Sequence, residues 1–254
     1  MPIEGKAAIV TGGGTGVGRE TALLLAQKGC DVAINYSRSK EEAEATGREI
    51  GAAGVRSLVV AADVADDEAC RRLVYEAVDK FGRLDILVNN AGTTRFIRHS
   101  DLEAVTPQDW QRIIGVNLVG PFQCARAAKA ALTSTRGQIV NVASTAGING
   151  IGSSIPYCCS KAALINMTMS LARVLAPVRV NAVAPGFITG RWLRGGLGPA
   201  YDQTKKAVES RSPLKQVCDP IDVANAILPF LEGSELVTGQ TLICDGGVTL
   251  GPEM

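Results

Sequence analysis

The glycine-rich stretch near the N-terminus constrains the fold more than any other part of the sequence. An apolar segment, Lys6–Thr11, precedes it, and a helical pattern, Arg19–Lys28, follows it. A strand, a glycine-rich turn and a helix in this order hold a dinucleotide pyrophosphate at the helix N-terminus, because glycine lets the backbone approach the phosphates. The spaced glycines are Gly12, Gly16 and Gly18, one residue longer in spacing than GxGxxG. Glycine clusters also occur in ordinary turns, so the prediction depends on the flanking strand and helix.

The end of the second predicted strand, Asp31–Tyr36, indicates which dinucleotide binds. NAD is held there by a carboxylate that binds the ribose 2′-hydroxyl, but Asp31 lies at the start of the strand instead. Ser37 and Arg38 follow the strand, and a hydroxyl and a guanidinium suit a 2′-phosphate. The sequence therefore predicts NADP(H) rather than NAD(H). The alternative is that Arg38 is a solvated loop residue.

Strands and helices alternate along the chain without a linker, repeat or low-complexity segment. The other predicted strands are Val55–Val60, Leu84–Val88, Gln138–Val142, Val178–Val183 and Gln240–Cys244, and the other predicted helices are Glu41–Ala52, Asp66–Phe81, Thr106–Leu132, Ile155–Leu175 and Asp222–Leu231. This pattern predicts an α/β fold in a single domain, residues 1–254, with a doubly wound parallel sheet of about seven strands and helices on both faces.

A tyrosine and a lysine, Tyr157 and Lys161, lie four residues apart and therefore on one face of a predicted helix. A fixed ammonium beside a phenol favours the phenolate, so we expect Lys161 to lower the pKa of Tyr157 from its usual value of about 10. Such a tyrosine can donate and accept a proton near neutral pH. The same spacing is common on solvated helix faces, so it identifies a site only together with other motifs.

Composition excludes several other classes of function. The net charge of +1 gives no basic field for nucleic acid, and no apolar run reaches the length of a membrane span. The N-terminus does not resemble a signal peptide. Seven cysteines without a CxxC spacing indicate reduced thiols in a cytoplasmic protein, and a single histidine, His99, leaves little for a metal site.

Several short motifs, taken in order, resemble those of the short-chain dehydrogenase/reductase family over nearly the whole chain, from Lys6 to Val248. Ser144 precedes Tyr157 by thirteen residues, the interval usual in the family. The motifs are Thr11-Gly12-x3-Gly16-x-Gly18, Asp63-Val64, Asn89-Asn90-Ala91-Gly92, Asn117, Ser144, Tyr157-x3-Lys161, Pro185-Gly186, Thr238-Gly239-Gln240 and Asp245-Gly246-Gly247. The resemblance implies a Rossmann-type fold and an oxidoreductase that interconverts a ketone and a secondary alcohol.

The resemblance also implies a role for each motif. Tyr157 would protonate the substrate oxygen, Ser144 would hydrogen-bond it, Lys161 would bind the nicotinamide ribose, and Asn117 would hold a water that links Lys161 to solvent. The implied cofactor contacts are Gly12, Thr15, Gly16, Val17 and Gly18 at the phosphates, Ser37 and Arg38 at the 2′-phosphate, Asp63 and Val64 at the adenine, Asn90, Ala91 and Gly92 at the ribose, and Tyr157, Lys161, Pro185, Gly186, Ile188 and Thr189 around the nicotinamide half.

The segment 187–212 lies where the family has its substrate lid, and its glycines predict a hinge. We expect its basic residues, with Arg95 and Arg98, to converge on one cleft and bind a substrate with an anionic handle, such as a 3-oxoacyl thioester or a keto acid. The alternative is a solvated lid whose charges serve solubility or the cofactor phosphates. Docking of an acyl carrier protein stays open, because the segment 173–179 is short and lacks an acidic residue.

Two further expectations concern assembly and class. The family resemblance implies a homotetramer that pairs through Thr106–Leu132, Ile155–Leu175 and the C-terminal strand. A dinucleotide-binding regulator without catalysis is the alternative function, since a fold does not fix a function, and an NAD-dependent sugar or alcohol dehydrogenase is another. A regulator would tolerate loss of Tyr157, Lys161, Ser144 or Asn117, and all four are present.

Overall fold

The structure is a computed structural model that describes residues 2–251. Strands and helices alternate in it as the sequence predicts. The strands are β1 (Ala7–Val10), β2 (Asp31–Tyr36), β3 (Ser57–Ala61), β4 (Ile86–Asn89), β5 (Gln138–Val142), β6 (Arg179–Pro185) and β7 (Thr241–Cys244). The helices are α1 (Gly16–Gln27), α2 (Lys40–Ala52), α3 (Asp67–Phe81), α4 (Pro107–Ile114), α5 (Gly120–Thr135), α6 (Ala146–Asn149), α7 (Ile155–Val174), α8 (Arg191–Leu197), α9 (Tyr201–Arg211) and α10 (Pro220–Glu232).

The seven strands form one parallel sheet in the order β3-β2-β1-β4-β5-β6-β7. The chain moves outward from β1 to β3 and then returns to place β4 on the other side of β1. Open parallel sheets bind ligands beyond the carboxyl ends of the strands where the direction of winding reverses. The crevice that follows β1 and β4 is therefore the expected site, and the predicted fold class is confirmed.

Side chains of each strand alternate between two hydrophobic cores, one on each face of the sheet. In β1, Ala7 and Ile9 pack into the core beneath α3 and α5, whereas Ala8 and Val10 pack into the core beneath α1 and α10. This alternation follows from the two-residue period of a strand. Because both faces are covered, β1, β4 and β6 are buried along their whole length, as parallel strands usually are.

Helix caps predicted from the sequence are present. The Asp66 carboxylate caps α3, and Thr106 and Asp109 form the capping box that begins α4. The long helix predicted from Thr106 to Leu132 is present as an unbroken helical run, but a turn of π-helix at Gly115–Val119 divides it into α4 and α5. The segment 187–212, predicted as a lid with a glycine hinge, contains the helices α8 and α9.

Candidate active site

The carboxyl ends of β1 and β4 are joined by polar contacts that shape the floor of a cleft. The Thr11 hydroxyl oxygen accepts hydrogen bonds from the backbone N–H groups of Asn90 (2.9 Å) and Ala91 (3.0 Å). The Asn90 side chain donates to the carbonyl oxygens of Thr11 (2.8 Å) and Gly12 (3.2 Å). The side-chain amide of Asn90 therefore holds the glycine turn against β4. What Asn90 presents to a ligand is mainly its backbone.

The glycine turn is packed so closely that side chains would not fit. A Cβ at Gly13 would lie 2.4 Å from the Ile34 side chain, and one at Gly18 would lie 2.3 Å from the Gly12 carbonyl oxygen. Gly12 and Gly16 have positive φ values of 63° and 54°, which favour glycine. A Cβ at Gly16 would point into open space, so the backbone there faces the cleft directly at the start of α1. This bare helix N-terminus fits a dinucleotide pyrophosphate.

The cleft has a volume of about 870 Å³ and runs from the glycine turn to Tyr157. Most of the residues predicted from the sequence line it: Gly12, Thr15, Gly16, Val17, Ser37, Arg38, Asp63, Val64, Asn90, Ala91, Gly92, Ser144, Tyr157, Lys161, Pro185, Gly186, Ile188 and Thr189. Gly18 and Asn117 are buried behind this lining. Gly18 therefore serves the close packing of α1 on the turn rather than contact with a ligand.

One end of the cleft carries Asp63, Ser37 and Arg38, which are suited to an adenosine. Asp63 accepts a hydrogen bond from Arg112 at 2.7 Å. Burial opposes ionisation of Asp63, but the hydrogen bonds from Arg112 and from the Ala65 N–H outweigh it and hold the pKa of the carboxyl below its usual range. Arg38 is exposed, and its guanidinium forms no ion pair with any residue in 2–251. It is thus free to bind an anion beside Ser37.

The other end of the cleft brings Ser144, Tyr157 and Lys161 together. Ser144 follows β5, and its hydroxyl oxygen accepts the Ala146 N–H at 3.1 Å. The buried Lys161 Nζ donates to the Val142 carbonyl oxygen at 2.7 Å and lies 5.7 Å from the centre of the Tyr157 ring. Tyr157 and Lys161 on α7 therefore both face the end of β5. Together with Ser144 they form a group of side chains that could transfer a proton to a substrate oxygen.

The expectation that Lys161 lowers the pKa of Tyr157 is wrong for this structure. Burial raises the pKa of Tyr157 to about 12, and the hydrogen bond with the Ser144 side chain acts in the opposite direction but is weaker. Burial also lowers the pKa of Lys161 to about 8. Desolvation favours the neutral form of each group, and it dominates here because both side chains lie inside the cleft.

Asn117 lies in the π-helical turn, and its side chain is fully hydrogen-bonded. Its side-chain oxygen accepts the Thr93 N–H at 2.8 Å, and its Nδ2 donates to the Thr93 carbonyl oxygen and to the Ser160 hydroxyl, both at 3.0 Å. Ser160 in turn donates to the Tyr157 carbonyl oxygen at 2.7 Å. Asn117 therefore connects the segment after β4 to the catalytic helix α7. The water-holding role implied for it stays a prediction.

Lid helix α8 covers the Tyr157 end of the cleft. The Trp192 ring meets the Tyr157 ring edge-on, with centroids 6.4 Å apart, and a Cβ at Gly196 would lie 2.0 Å from the Phe96 ring. At the base of the lid, the Thr189 hydroxyl donates to Asp219 and the Thr189 N–H to the Cys218 carbonyl oxygen. The sequence predicts apolar contact from Trp192 and Phe96 in the substrate cleft; the structure places Trp192 there, against Tyr157, whereas Phe96 packs against Gly196 and does not line the cleft.

Two of the basic residues expected to converge on the substrate, Arg95 and Arg194, are instead paired with carboxylates. Arg95 binds Asp109 at 2.7 Å, and Arg194 lies 3.9 Å from Asp202 and over the Tyr201 ring. Neither arginine lines the cleft. The basic residues that do line it, besides Arg38 and Lys161, are Arg19, Arg112 and Arg191. The predicted convergence of Arg95 and Arg194 on one cleft is therefore wrong.

Within 2–251, no three His, Cys, Asp or Glu side chains are grouped so that they could hold a metal ion. Over the same range, no helix has the length and apolar character needed to cross a membrane.

Known proteins share this sequence and fold over almost their whole length. A short-chain dehydrogenase family model, described as enoyl-(acyl carrier protein) reductase, matches residues 12–249. A relative from Streptomyces violaceoruber that bears the name of a ketoacyl reductase of the granaticin polyketide synthase is 43% identical, over 97% of each chain. The 3-oxoacyl-[acyl-carrier-protein] reductase FabG of Staphylococcus aureus is 40% identical, over 96% of this chain and 98% of its own.

Solved structures agree with these relatives. A short-chain dehydrogenase/reductase from Burkholderia xenovorans superposes with a TM-score of 0.89 at 35% identity, over 97% of this chain and 98% of its own. A xylitol dehydrogenase with bound NAD⁺ superposes with a TM-score of 0.88 at 28% identity, over 97% of this chain and 100% of its own. The chain thus belongs to the short-chain dehydrogenase/reductase family, as an oxidoreductase that uses a nicotinamide dinucleotide to interconvert a ketone and a secondary alcohol.

Proposed function

We propose that this oxidoreductase uses NADPH to reduce a 3-oxoacyl thioester or a similar ketone, with Tyr157 as the proton donor. One observation carries the proposal: a single cleft joins the open glycine turn and Arg38 at one end to Ser144, Tyr157 and Lys161 at the other. NADPH would supply the hydride, so the protein has to position the ketone and provide a proton.

The reactive end of the cleft fits proton donation to a substrate oxygen. The Ser144 and Tyr157 side chains hydrogen-bond each other, and a carbonyl oxygen placed between them would accept from both hydroxyl groups. As negative charge develops on that oxygen, Tyr157 gives up its proton. The pKa of Tyr157, raised by burial to about 12, keeps the phenol protonated at neutral pH, so it is available as a proton donor. Lys161, whose Nζ lies 5.7 Å from the centre of the Tyr157 ring, is proposed to bind the nicotinamide ribose.

Two features support NADPH over NADH. Arg38 is exposed beside Ser37 at the adenosine end, where a 2′-phosphate would lie. In addition, the neighbouring carboxylate of Asp63 is neutralised by Arg112 at 2.7 Å and so repels an added phosphate less. The xylitol dehydrogenase of the same fold was solved with NAD⁺, so an NAD-dependent sugar or alcohol dehydrogenase is the competing assignment.

The proposed substrate follows from the relatives and from the surfaces around Tyr157. Two relatives are named as ketoacyl and 3-oxoacyl-carrier-protein reductases. Trp192, 45% exposed, gives the cleft an apolar wall beside Tyr157, which suits an acyl chain. The family model is described as an enoyl reductase, but Ser144 and Tyr157 present two hydroxyl groups to one oxygen, an arrangement suited to a carbonyl rather than to a carbon–carbon double bond. We also propose that the substrate carries an anionic group, as a 3-oxoacyl thioester or a keto acid does.

The experiment follows NADPH absorbance with a 3-oxoacyl group presented on coenzyme A, on an acyl carrier protein and as a simple ester. We expect turnover with the thioester, and we expect Tyr157→Phe to lower kcat by about 10²- to 10⁴-fold with nearly unchanged cofactor binding, because only the transferable proton is lost. Tyr75→Phe, a change at a residue 71% exposed on α3, is the matched control.

Other outcomes of this experiment distinguish the alternatives. Dinucleotide binding without turnover of any ketone or alcohol would favour a regulator. Oxidation of a polyol with NAD⁺, faster than reduction of any ketone with NADPH, would favour a sugar or alcohol dehydrogenase. Turnover with the carrier-protein thioester alone would show that a carrier protein docks despite the short segment 173–179.

We also propose that the protein is a cytoplasmic homotetramer. An apolar groove between α5 and α7, lined by Leu118, Val119, Phe122, Ala163 and Met167, and the exposed Leu242 and Ile243 on edge strand β7 suit the contacts of a homotetramer. All seven cysteines are free thiols, including the neighbours Cys70 and Cys124 with sulfurs 3.5 Å apart, and such thiols suit a cytoplasmic protein.

A further inference from the structure

One ion pair connects lid helix α8 to the opposite lip of the cleft. Arg191, the first residue of α8, donates from Nη1 to Glu42 Oε1 at 2.6 Å and from Nη2 to the Ser39 hydroxyl at 3.1 Å. All three residues line the cleft. Glu42 lies in the first turn of α2, on the adenosine side, whereas α8 follows β6 on the nicotinamide side. The contact therefore spans the cleft between residues 149 positions apart in the sequence.

Few other contacts hold α8 in place. None of its seven residues is buried. Its contacts toward the body of the protein include the edge-on approach of Trp192 to Tyr157, the proximity of Trp192 to Gly92 and the packing of Gly196 on Phe96. An element with so little buried apolar surface opens at low free energy, so a single charged contact changes its position measurably.

We infer that Arg191, held by Glu42 and Ser39, is a latch that keeps α8 closed over the bound dinucleotide, so that release of the cofactor requires this contact to open. The inference rests on the proposed dinucleotide function of the cleft. Arg191 contacts a carboxylate and a hydroxyl of the protein, so the latch retains NADPH and NADH alike. This sets it apart from Arg38, which is proposed to distinguish the two cofactors.

The charges of the latch are in place at neutral pH. The hydrogen bond from Arg191, together with the backbone hydrogen bond of Glu42, holds the pKa of the Glu42 carboxyl below its usual range. Both side chains are largely exposed, at 61% for Arg191 and 45% for Glu42. The attraction is therefore modest and screened by salt, as expected for a contact that must open in each catalytic cycle.

The first test measures dissociation of NADPH and of NADH by stopped-flow fluorescence in Arg191→Gln, Glu42→Gln and the double variant. We expect each single variant to release both cofactors about two- to five-fold faster, the range of an exposed ion pair. The double variant should be no faster than the single variants, because one contact is lost in all three. Arg194→Gln, on the same helix but paired with Asp202 outside the cleft, should release them at the parent rate.

The second test needs no cofactor. Trp192 lies beside Arg191 on α8, and Trp110→Phe leaves it as the single tryptophan reporter. We expect acrylamide to quench Trp192 more strongly in Arg191→Gln and Glu42→Gln than in the Trp110→Phe parent, and equally in Arg194→Gln. Higher salt should raise quenching in the parent and change it less in the two latch variants.

Three results would overturn the latch: unchanged release and quenching, additive effects in the double variant, or faster release of NADPH alone, which would make Arg191 a ligand of the 2′-phosphate. A parent protein that binds neither dinucleotide would instead overturn the proposed function, and the quenching of Trp192 would still report on the contact between α8 and α2.

Discussion

Lys161 is buried at the reactive end of the cleft, and its burial predicts an unusual dependence of stability on pH. Burial lowers the pKa of Lys161 from the usual 10.5 to about 8 in the folded protein. Between these two values Lys161 binds a proton in the unfolded chain but not in the folded protein, so the contribution of Lys161 to the free energy of unfolding rises as the pH rises through this window. Below about pH 8 the lysine is protonated in both states, and the full cost of burying the charge is present.

The magnitude follows from the difference between the two pKa values. Two and a half pH units correspond to about 3 kcal/mol, which the charged lysine costs the folded protein at neutral pH. Lys161→Met removes the charge with little change in shape, but it also removes the hydrogen bond to the Val142 carbonyl oxygen, worth about 1 kcal/mol. We therefore expect this variant to be more stable than the parent by about 2 kcal/mol at pH 7, although it loses turnover.

The assay is urea unfolding followed by circular dichroism, without cofactor and at fixed protein concentration, between about pH 7 and about pH 9.5. The advantage of Lys161→Met should shrink as the pH rises and vanish near the upper limit. The series stops there because the raised pKa of Tyr157, about 12 in the folded protein, makes stability fall once tyrosines of the unfolded chain ionise. Lys129→Met, at an exposed lysine of α5, controls for the loss of one charge.

A stability difference between Lys161→Met and the parent that stays constant across this pH range would refute the reasoning; the difference is the test because the buried thiols, whose pKa values burial raises, lower the stability of both proteins alike as the pH rises. So would a Lys161→Met variant that is less stable than the parent at pH 7 by the same amount at every pH. In either case, the ammonium would have to be solvated or paired in a way that the contact with Val142 does not provide.

Three further predictions concern the cofactor, the assembly and the substrate. Arg38→Ala should weaken NADPH on the order of tenfold and leave NADH nearly unchanged, whereas Arg48→Ala on the exposed side of α2 should alter neither; isothermal titration measures both. Phe122→Asp, in the groove between α5 and α7, should lower the mass found by light scattering, and a monomeric parent at micromolar concentration would contradict the homotetramer. For an anionic ketone, kcat/KM should fall as ionic strength rises and a neutral analogue should respond less; equal responses would exclude an anionic handle.

Local patterns in the sequence predict all seven strands and most of the helices, but not α6, α8 or α9. The alternation of apolar segments with helical patterns, the Asp66 cap and the capping box of Thr106 and Asp109 depend on neighbours within a few residues, and all are present in the structure. The π-helical turn at Gly115–Val119 could not be predicted in this way. It depends on contacts of Asn117 with Thr93 and Ser160, which lie far away in the sequence.

The same distinction applies to the candidate site. Glycines, the Tyr157–Lys161 spacing and Ser144 are visible as short motifs, and the structure brings them to one cleft. The direction of the pKa shifts was mispredicted, because sequence spacing shows which charges are near but not how deeply they are buried. The partners of Arg95 and Arg191 were missed for a related reason. An arginine pairs with whichever carboxylate the fold brings within reach, and Asp109 and Glu42 are not adjacent to them in the sequence.

The end of strand β5 contacts both Lys161 and Tyr157, so neither side chain depends on the other for its position. The last residue of β5, Val142, provides the carbonyl oxygen that holds Lys161, and Ser144, two residues further on, provides the hydroxyl that meets Tyr157. The short helix α6 then packs so closely on α7 that a Cβ at Gly147 would lie 2.5 Å from the Lys161 carbonyl carbon. Because α7 is held against β5 from both sides, its two reactive side chains can be buried at a cost to stability without moving away. That burial keeps the proton on Tyr157 at neutral pH, so the phenol is in the form that can donate a proton to a substrate oxygen.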